Sequence, residues 1–245
     1  LDVIIDFELE KIYEILTKID EDPEVDEVKA TERNLWFNIQ KKAKEGRRTG
    51  IGITAEGDML AALGIKYGSK KGNDFSVEVH KTLGIEAYRA SVYAAKDRGA
   101  FAIFDAEREK NNPFIQRLKE ADDKLYYEML EHGRRNIALL TIAPTGTTSL
   151  MTQTSSGIEP VFMPVYKRRR KVNPNDKNVR VDFVDELGDS WEEYVVFHHR
   201  FKQWMEVNGF EVSDDYDQKE LDAMVKKSPY YKATSNDVDW MSKVS

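Results

Sequence analysis

The sequence predicts an α/β fold, and three observations carry that prediction. Short β-branched runs alternate with longer segments of helical periodicity, glycine or proline closes several of these segments, and no internal repeat is present. With 245 residues, 40% of them hydrophobic, the chain has apolar material for a sizeable core in one large domain or two small ones. No low-complexity linker marks an internal boundary.

The elements follow in order. Over residues 6–19, Phe7, Ile12, Ile15, Leu16 and Ile19 recur at helical spacing with Glu8, Glu10, Lys11 and Glu14 between them. A second helix is predicted over residues 32–44. Residues 47–54 form a short glycine-containing strand, followed by a helix over 55–63 that Gly64 stops. Residues 73–98 predict a long helix with Phe75, Val79, Leu83, Ala87, Tyr88, Ser91 and Ala95 on one broad face, ended by Gly99. Shorter helices are predicted over 114–121 and 123–132. Gly133 to Asn136 then leads into the apolar run 137–142, the composition of a buried strand, which Pro144 stops.

Further on, residues 161–172 are expected to be extended, and Asn173-Pro174-Asn175-Asp176 has turn chemistry. Val179, Val181 and Phe183 alternate with charged residues, so these parts predict a hairpin. Residues 190–207, rich in Trp191, Tyr194, Val195, Phe197 and Trp204, are assigned to a helix ended by Gly209, and residues 217–227 to another. The chain starts on Leu1 and ends at Val244-Ser245 just after a further helix start, as an excised piece of a longer protein would.

Composition narrows the function. A net charge of −7 and a pI near 5.3 supply no global positive field for a polyanion, so nucleic acid is not the expected partner. The cationic run Lys167, Arg168, Arg169, Arg170 and Lys171 alternates faces on a strand, and a solvated edge that discourages sheet aggregation explains it better than a nucleic-acid grip. No apolar run approaches the roughly 20 residues of a membrane helix, and no basic leader precedes one; the expectation is a cytoplasmic protein without a membrane partner. Cysteine is absent, which excludes disulfides, thiolate metal sites and thiol or thiyl chemistry by this chain.

The most informative motif is Pro144-Thr145-Gly146-Thr147-Thr148-Ser149. After a buried strand, it offers backbone N–H groups, hydroxyls and one position without a Cβ, which together suit a diphosphate. A plain strand-to-helix connection has the same composition, and no lysine closes a GxxxxGK[ST] loop. Gly50, Gly52 and Gly57 depart from G-x-G-x-x-G and are expected to serve close packing. His198 and His199 are neighbours, so on a helix they point about 100° apart. No HExxH pattern occurs and no metal is expected. Glu56, Asp58, Asp105, Glu107 and Glu159 are candidate acids, most of them expected at the surface. Glu159 is set apart because Ser155-Ser156-Gly157-Ile158-Glu159-Pro160 closely follows the turn. Tyr230-Tyr231 is expected to be packing rather than a radical relay.

Five of these segments together resemble the catalytic subunit of ribonucleotide reductase, most closely its adenosylcobalamin-dependent class II. They are Arg47-Arg48-Thr49-Gly50-Ile51-Gly52-Ile53-Thr54-Ala55-Glu56-Gly57-Asp58-Met59-Leu60; Glu86-Ala87-Tyr88-Arg89-Ala90-Ser91; Ala95-Lys96-Asp97-Arg98-Gly99-Ala100-Phe101; Leu140-Thr141-Ile142-Ala143-Pro144-Thr145-Gly146-Thr147; and Ser156-Gly157-Ile158-Glu159-Pro160. The resemblance implies a ten-stranded α/β barrel with surrounding helices. It makes residues 1–245 the C-terminal half of the catalytic barrel domain, truncated at both ends. It also implies that Pro144, Thr145, Gly146, Thr147 and Thr148 bind substrate phosphate, with Ser149, Gly157, Ile158 and Glu159 on the same face.

In that family a finger-loop cysteine carries the thiyl radical and a cysteine pair supplies reducing equivalents; none of these is present in this chain. The resemblance therefore places no catalytic residue here, and it implies three partners: a ribonucleotide substrate, the cysteine-bearing remainder of the reductase, and a thioredoxin-type reductant. Adenosylcobalamin is the implied cofactor of the complete enzyme. A class I type large-subunit fragment and a non-catalytic nucleotide-binding or assembly module are the alternatives.

Overall fold

A computed structural model of the chain describes every residue except Pro174, Lys177 and 242–245. Pro174 of the expected turn, and the Val244-Ser245 terminus, lie outside the described residues. The helices are α1 (Asp2–Glu21), α2 (Asp26–Gly46), α3 (Glu56–Ala62), α4 (Lys70–Arg98), α5 (Ala106–Lys110), α6 (Pro113–Ala121), α7 (Asp123–His132) and α8 (Gly146–Thr152). The strands β1 (Val165–Lys171), β2 (Phe183–Val184) and β3 (Ser190–Phe197) follow, then α9 (His199–Val207) and α10 (Gln218–Lys227). Mixed helix and strand fits the α/β expectation, although the named strands make only a three-stranded sheet. The residues divide into two compact units, one of 1–52 with 78–141 and the other of 53–77 with the residues from 142 onward. Each unit is built from two separated stretches of chain, which is why no linker marks the division.

In the first unit α1 packs against α2. The buried side chains of α1 are Ile5, Ile12 and Ile19, spaced by two helical turns. Phe7, expected on that stripe, is 61% exposed because it lies about 200° around the helix from Ile5. A core forms where Ala87, Tyr88 and Val92 of α4 meet Ile115 and Leu118 of α6 and Leu125, Tyr126 and Met129 of α7. Side-chain oxygens start both short helices. Asn112 accepts from the N–H of Phe114 ahead of Pro113, and Asp122 accepts from that of Leu125.

Two predicted strands in this unit shrink to a single parallel bridge between Ile51 and Leu140. Around it, the N–H groups of Thr49 and Ile51 donate to Ala138 and Leu139 at 2.9 and 2.7 Å, and Thr141 N–H donates to Ile51 at 3.0 Å. Among the described residues no third strand extends this pair, so the ladder ends after one repeat. The glycines serve approach. A Cβ on Gly52 would lie 2.5 Å from the Thr141 carbonyl oxygen, and one on Gly50 would lie 3.0 Å from Thr141 Cγ2.

A carboxylate ties the ends of this unit together. Asp2 accepts from Arg47 Nε at 2.7 Å, Asn136 Nδ2 at 3.0 Å and Arg135 Nε at 3.1 Å. Asn136 also donates to the Arg47 carbonyl and exchanges hydrogen bonds with buried Ser91. Burial acts to raise the Asp2 pKa, but the two guanidinium partners outweigh it and hold the carboxyl at about 2.

In the second unit the sheet has the order β1-β3-β2, and both pairings are antiparallel. This corrects two expectations. The hairpin does not join residues 161–172 to 179–183; β1 pairs with β3 instead, and only Phe183 and Val184 form a strand on the far edge. The helix expected over 190–207 starts at His199, because residues 190–197 are strand β3. Their aromatic and β-branched composition favours a pleated surface, and the pairing is fixed by charge as well as shape. Arg169 meets Glu193 at 3.0 Å, Arg170 meets Glu192 at 2.6 Å and Lys171 meets Asp189 at 2.5 Å, while Trp191 stacks on Phe183. The cationic run is thus a paired, solvated edge strand. The core beside this sheet gathers Val165, Val195, Phe201, Met205, Leu221 and Met224. A reciprocal capping box between Asp217 and Glu220 starts α10.

Asp2→Ala is expected to lower unfolding stability by about 1–3 kcal/mol at pH 7, because it strips the buried Arg47 guanidinium and the half-buried Arg135 guanidinium of an acceptor. The contribution of the native carboxylate is present above its ordinary pKa of 3.8 and is lost as the pH falls toward 2. Urea melts at pH 7 and pH 2.5 check both: wild type and variant should differ most at the first and less at the second.

Candidate functional site

Every residue of the candidate site belongs to the second unit. Thr145 caps α8 in the left-handed conformation, with φ of 52°, and Gly146, Thr147 and Thr148 are the first three helical residues. An N-cap threonine ordinarily turns its hydroxyl onto the first-turn amides. Thr145 does not. Its Oγ1 accepts from Gly157 N–H at 2.7 Å and lies 2.9 Å from Thr54 Oγ1, which in turn donates to the Ser155 carbonyl at 3.3 Å. The cap hydroxyl is diverted to the following loop, and among the described residues the N–H groups of Gly146, Thr147 and Thr148 have no protein acceptor. These three residues are exposed, as is Pro144. Ser149 is buried, its hydroxyl shared between the Gly146 carbonyl at 2.8 Å and Ser156 Oγ at 2.9 Å.

The neighbouring loop has the opposite habit. The carbonyls of Ser155 and Gly157 accept from the N–H groups of Ala55 and Glu56, and Ser155 Oγ accepts from Asp58 N–H. The amides opening α3 are therefore consumed by this loop, whereas those opening α8 are not. Gly157 is buried with φ of 46°, and a Cβ there would meet the Ala143 carbonyl at 3.0 Å. On Gly57 a Cβ would meet the Glu159 carbonyl at 2.9 Å, so this third glycine also serves close packing. Ile158 is half-buried and its carbonyl accepts from Tyr67 Oη at 2.5 Å. Burial, with Glu56 and Glu159 nearby, pushes the Tyr67 hydroxyl up to about 12. Glu159 itself is exposed.

Two of the expected surface acids are not at the surface. Glu56 is 1% exposed and accepts from Ser76 Oγ at 2.6 Å, and Asp58 is 6% exposed. Both sit in the first turn of α3, which the loop covers. Asp105, by contrast, caps α5, and Glu107 pairs with Lys110 at 2.6 Å.

Asp58 is the centre of a cluster that sequence reasoning missed. Its carboxylate accepts from Ser155 N–H at 2.7 Å and Tyr230 Oη at 2.9 Å, and His198 Nε2 lies 2.8 and 3.1 Å from its two oxygens. Burial acts to raise its pKa, yet the bonds from His198, Ser155 and Tyr230 and the charge at His198 hold it below the ordinary value. Burial and the Asp58 charge push the Tyr230 hydroxyl up. Tyr230 is core packing as expected, but with a polar duty. Asp58 edges a cleft of 610 Å³ with Thr54, Arg200 and Trp204, and His198 edges another of 360 Å³ with Ser156 and Glu159. The sequence held no signal for this grouping, because its members are separated by as many as 172 residues.

Chemically, the α8 turn offers neutral donors to an anion and the Asp58 cluster offers a rigid, fully engaged carboxylate. Among the described residues no group of three His, Cys, Asp or Glu side chains gathers to hold a metal ion, and no helix is long and apolar enough to cross a membrane.

Residues 9–242 match the family described as ribonucleotide reductase, barrel domain. The vitamin B12-dependent ribonucleoside-diphosphate reductase of Mycobacterium tuberculosis is 30% identical over 145 residues, 59% of this chain and 18% of that protein. Its namesake in Thermoplasma acidophilum is 31% identical over 131 residues, 53% of this chain and 15% of that protein. The ribonucleoside-diphosphate reductase subunit alpha of Treponema pallidum is 27% identical over 128 residues, covering 51% and 15% of the two chains.

Tyr230→Phe is expected to cost about 1–3 kcal/mol of stability at pH 7, because the buried Asp58 carboxylate loses a donor. The variant raises the folded pKa of Asp58, so its deficit is largest above that pKa and shrinks as acid protonates the carboxyl. Denaturant melts of both proteins at pH 7 measure the difference; equal stability contradicts it.

Proposed function

The chain belongs to the ribonucleotide reductase barrel-domain family, and from that premise we propose that it forms part of the catalytic barrel of an oxidoreductase that converts ribonucleotides to deoxyribonucleotides. Its own contribution is the turn Pro144, Thr145, Gly146, Thr147 and Thr148, which holds the substrate's phosphates, with Ser149, Gly157, Ile158 and Glu159 framing it. One observation carries this reading: the N–H groups of three consecutive exposed residues at the start of α8 find no protein acceptor among the described residues, the cap hydroxyl being engaged elsewhere. Amides aimed outward at the positive end of a helix favour an anion.

With no cysteine, the chain supplies no thiyl radical and no reducing pair. The radical step, the remaining barrel strands and the exchange with a thioredoxin-type reductant belong, in this reading, to the cysteine-bearing remainder of the enzyme. Matched stretches spanning only 15–21% of the relatives agree with such a division. The names of the Mycobacterium and Thermoplasma relatives favour the adenosylcobalamin class, with a class I type large subunit as the alternative that the Treponema relative represents. No histidine lines the 610 Å³ cleft, and at the 360 Å³ cleft His198 commits Nε2 to Asp58 while His199 is exposed, so in this reading the cofactor belongs to the complete enzyme.

Thr147→Val combined with Thr148→Val is expected to weaken cytidine diphosphate binding about tenfold or more per hydroxyl engaged, since a hydrogen bond to a charged group is worth about 1.5–3 kcal/mol. Calorimetric titration of both proteins measures it. Unchanged affinity removes the hydroxyls from the site, and absence of cytidine diphosphate binding to the native chain removes this reading.

A further inference from the structure

The reading above leaves unused the buried Asp58 cluster of the second unit, whose carboxylate bonds the loop beside the turn. We propose that Asp58 is a positioning residue for the phosphate turn, acting through Ser155 and Gly157 to set the direction of the α8 amides. The inference rests on the reading of that turn as a phosphate site.

The path is continuous, through hydrogen bonds and the short backbone stretch from Ser155 to Gly157. Tyr230 Oη and His198 Nε2 engage Asp58 from one side, and Asp58 Oδ2 takes the Ser155 N–H at 2.7 Å on the other. A carboxylate only accepts, so the imidazole presents its Nε2 proton to it. Ser155 is fastened a second time by its carbonyl, which accepts from Ala55 N–H at 3.2 Å and from Thr54 Oγ1. Two residues on, Gly157 N–H reaches Thr145 Oγ1.

The directions of these bonds are fixed in sequence. Thr54 gives its proton to the Ser155 carbonyl, so Thr145 gives its own to Thr54 and its lone pair to Gly157. The Thr145 hydroxyl thereby commits its proton and one of its two lone pairs to groups outside its own helix.

Backbone conformation makes this path consequential. Thr145 is β-branched and sits at φ of 52°, a region costly for any residue with a branched Cβ. Such a conformation persists only where the surroundings over-determine it, and here the surroundings are the loop that Asp58 holds. Release of Ser155 frees Thr145 to relax toward an ordinary capping geometry. Its hydroxyl then returns to the first-turn amides, which turn inward and are lost to a ligand. Neither His198 nor Tyr230 needs to touch substrate for this, so all three residues act at one remove from the phosphate.

A double-mutant cycle on the 245-residue chain tests the path. It combines Asp58→Asn with Thr145→Val, read by the backbone amide resonances of Gly146, Thr147 and Thr148 and by titration with inorganic pyrophosphate. The expected result is that Asp58→Asn shifts those three resonances and weakens pyrophosphate about 3- to 10-fold, and that both effects disappear when Thr145 is already valine. Unmoved resonances in Asp58→Asn, or effects that add in full to those of Thr145→Val, overturn the proposal. Should Asp58→Asn fail to fold, Tyr230→Phe perturbs the same carboxylate from its far side and is held to the same two outcomes. Amide shifts that follow the cycle while pyrophosphate binds neither wild type nor variant support the positioning path and refute only the phosphate reading.

Discussion

The second unit depends on keeping one ionised carboxylate out of water. Taking Asp58 below the surface costs several kcal/mol unless donors meet it, and the fold brings three. One comes from the loop after α8, one from the junction of β3 with α9, and one from the segment after α10. Because these donors lie 97, 140 and 172 residues along the chain from Asp58, satisfying them aligns α3, the sheet and the last helices at once. The apolar cluster around Phe201 and Met205 supplies the driving force, but burial is non-directional and accepts many arrangements. The hydrogen-bonded carboxylate selects among them.

The first unit uses the same device with a different partner set. Asp2 lies at the start of α1 and gathers Arg47 from the end of α2 with Arg135 and Asn136 from the segment ahead of the parallel bridge. Arg47 stands in the left-handed region and ends α2. Its guanidinium is 7% exposed, a depth at which an unpaired charge would be strongly destabilising. In both units, then, a polar residue at a helix start converts a loose apolar assembly into a defined one.

Local signals were legible and long-range ones were not. Residues 123–132 form a helix as predicted because Asp122 and Gly133 punctuate both ends. The long α4 was readable from its broad apolar face and from Gly99, whose φ of 81° closes it. The same logic misled at residues 190–197, where Trp191, Tyr194 and Val195 match a helical stripe while their β-branched and aromatic character suits a strand; the partner that decides the matter, β1, lies elsewhere in the chain. The position of the turn at 144–148 was visible as a change from apolar residues to small hydroxyl-bearing ones. That its cap hydroxyl serves another loop was not, since this depends on Gly157 and Thr54 arriving from either side. Glu56 and Asp58 look like any helix-opening acids until the loop that covers them is known.

The edge position of β1 has a consequence for how the chain behaves in company. Its outer side presents open backbone, the kind of rim on which a second molecule can extend a sheet. Lys167, Arg168, Arg169, Arg170 and Lys171 lie along that strand, and Glu192 and Glu193, which answer Lys167, Arg169 and Arg170, stand on β3, inside the sheet. Two copies approaching rim to rim would align cation against cation, with their counter-charges on the wrong side to help. Mutual repulsion at this border opposes growth of the sheet from one molecule into the next.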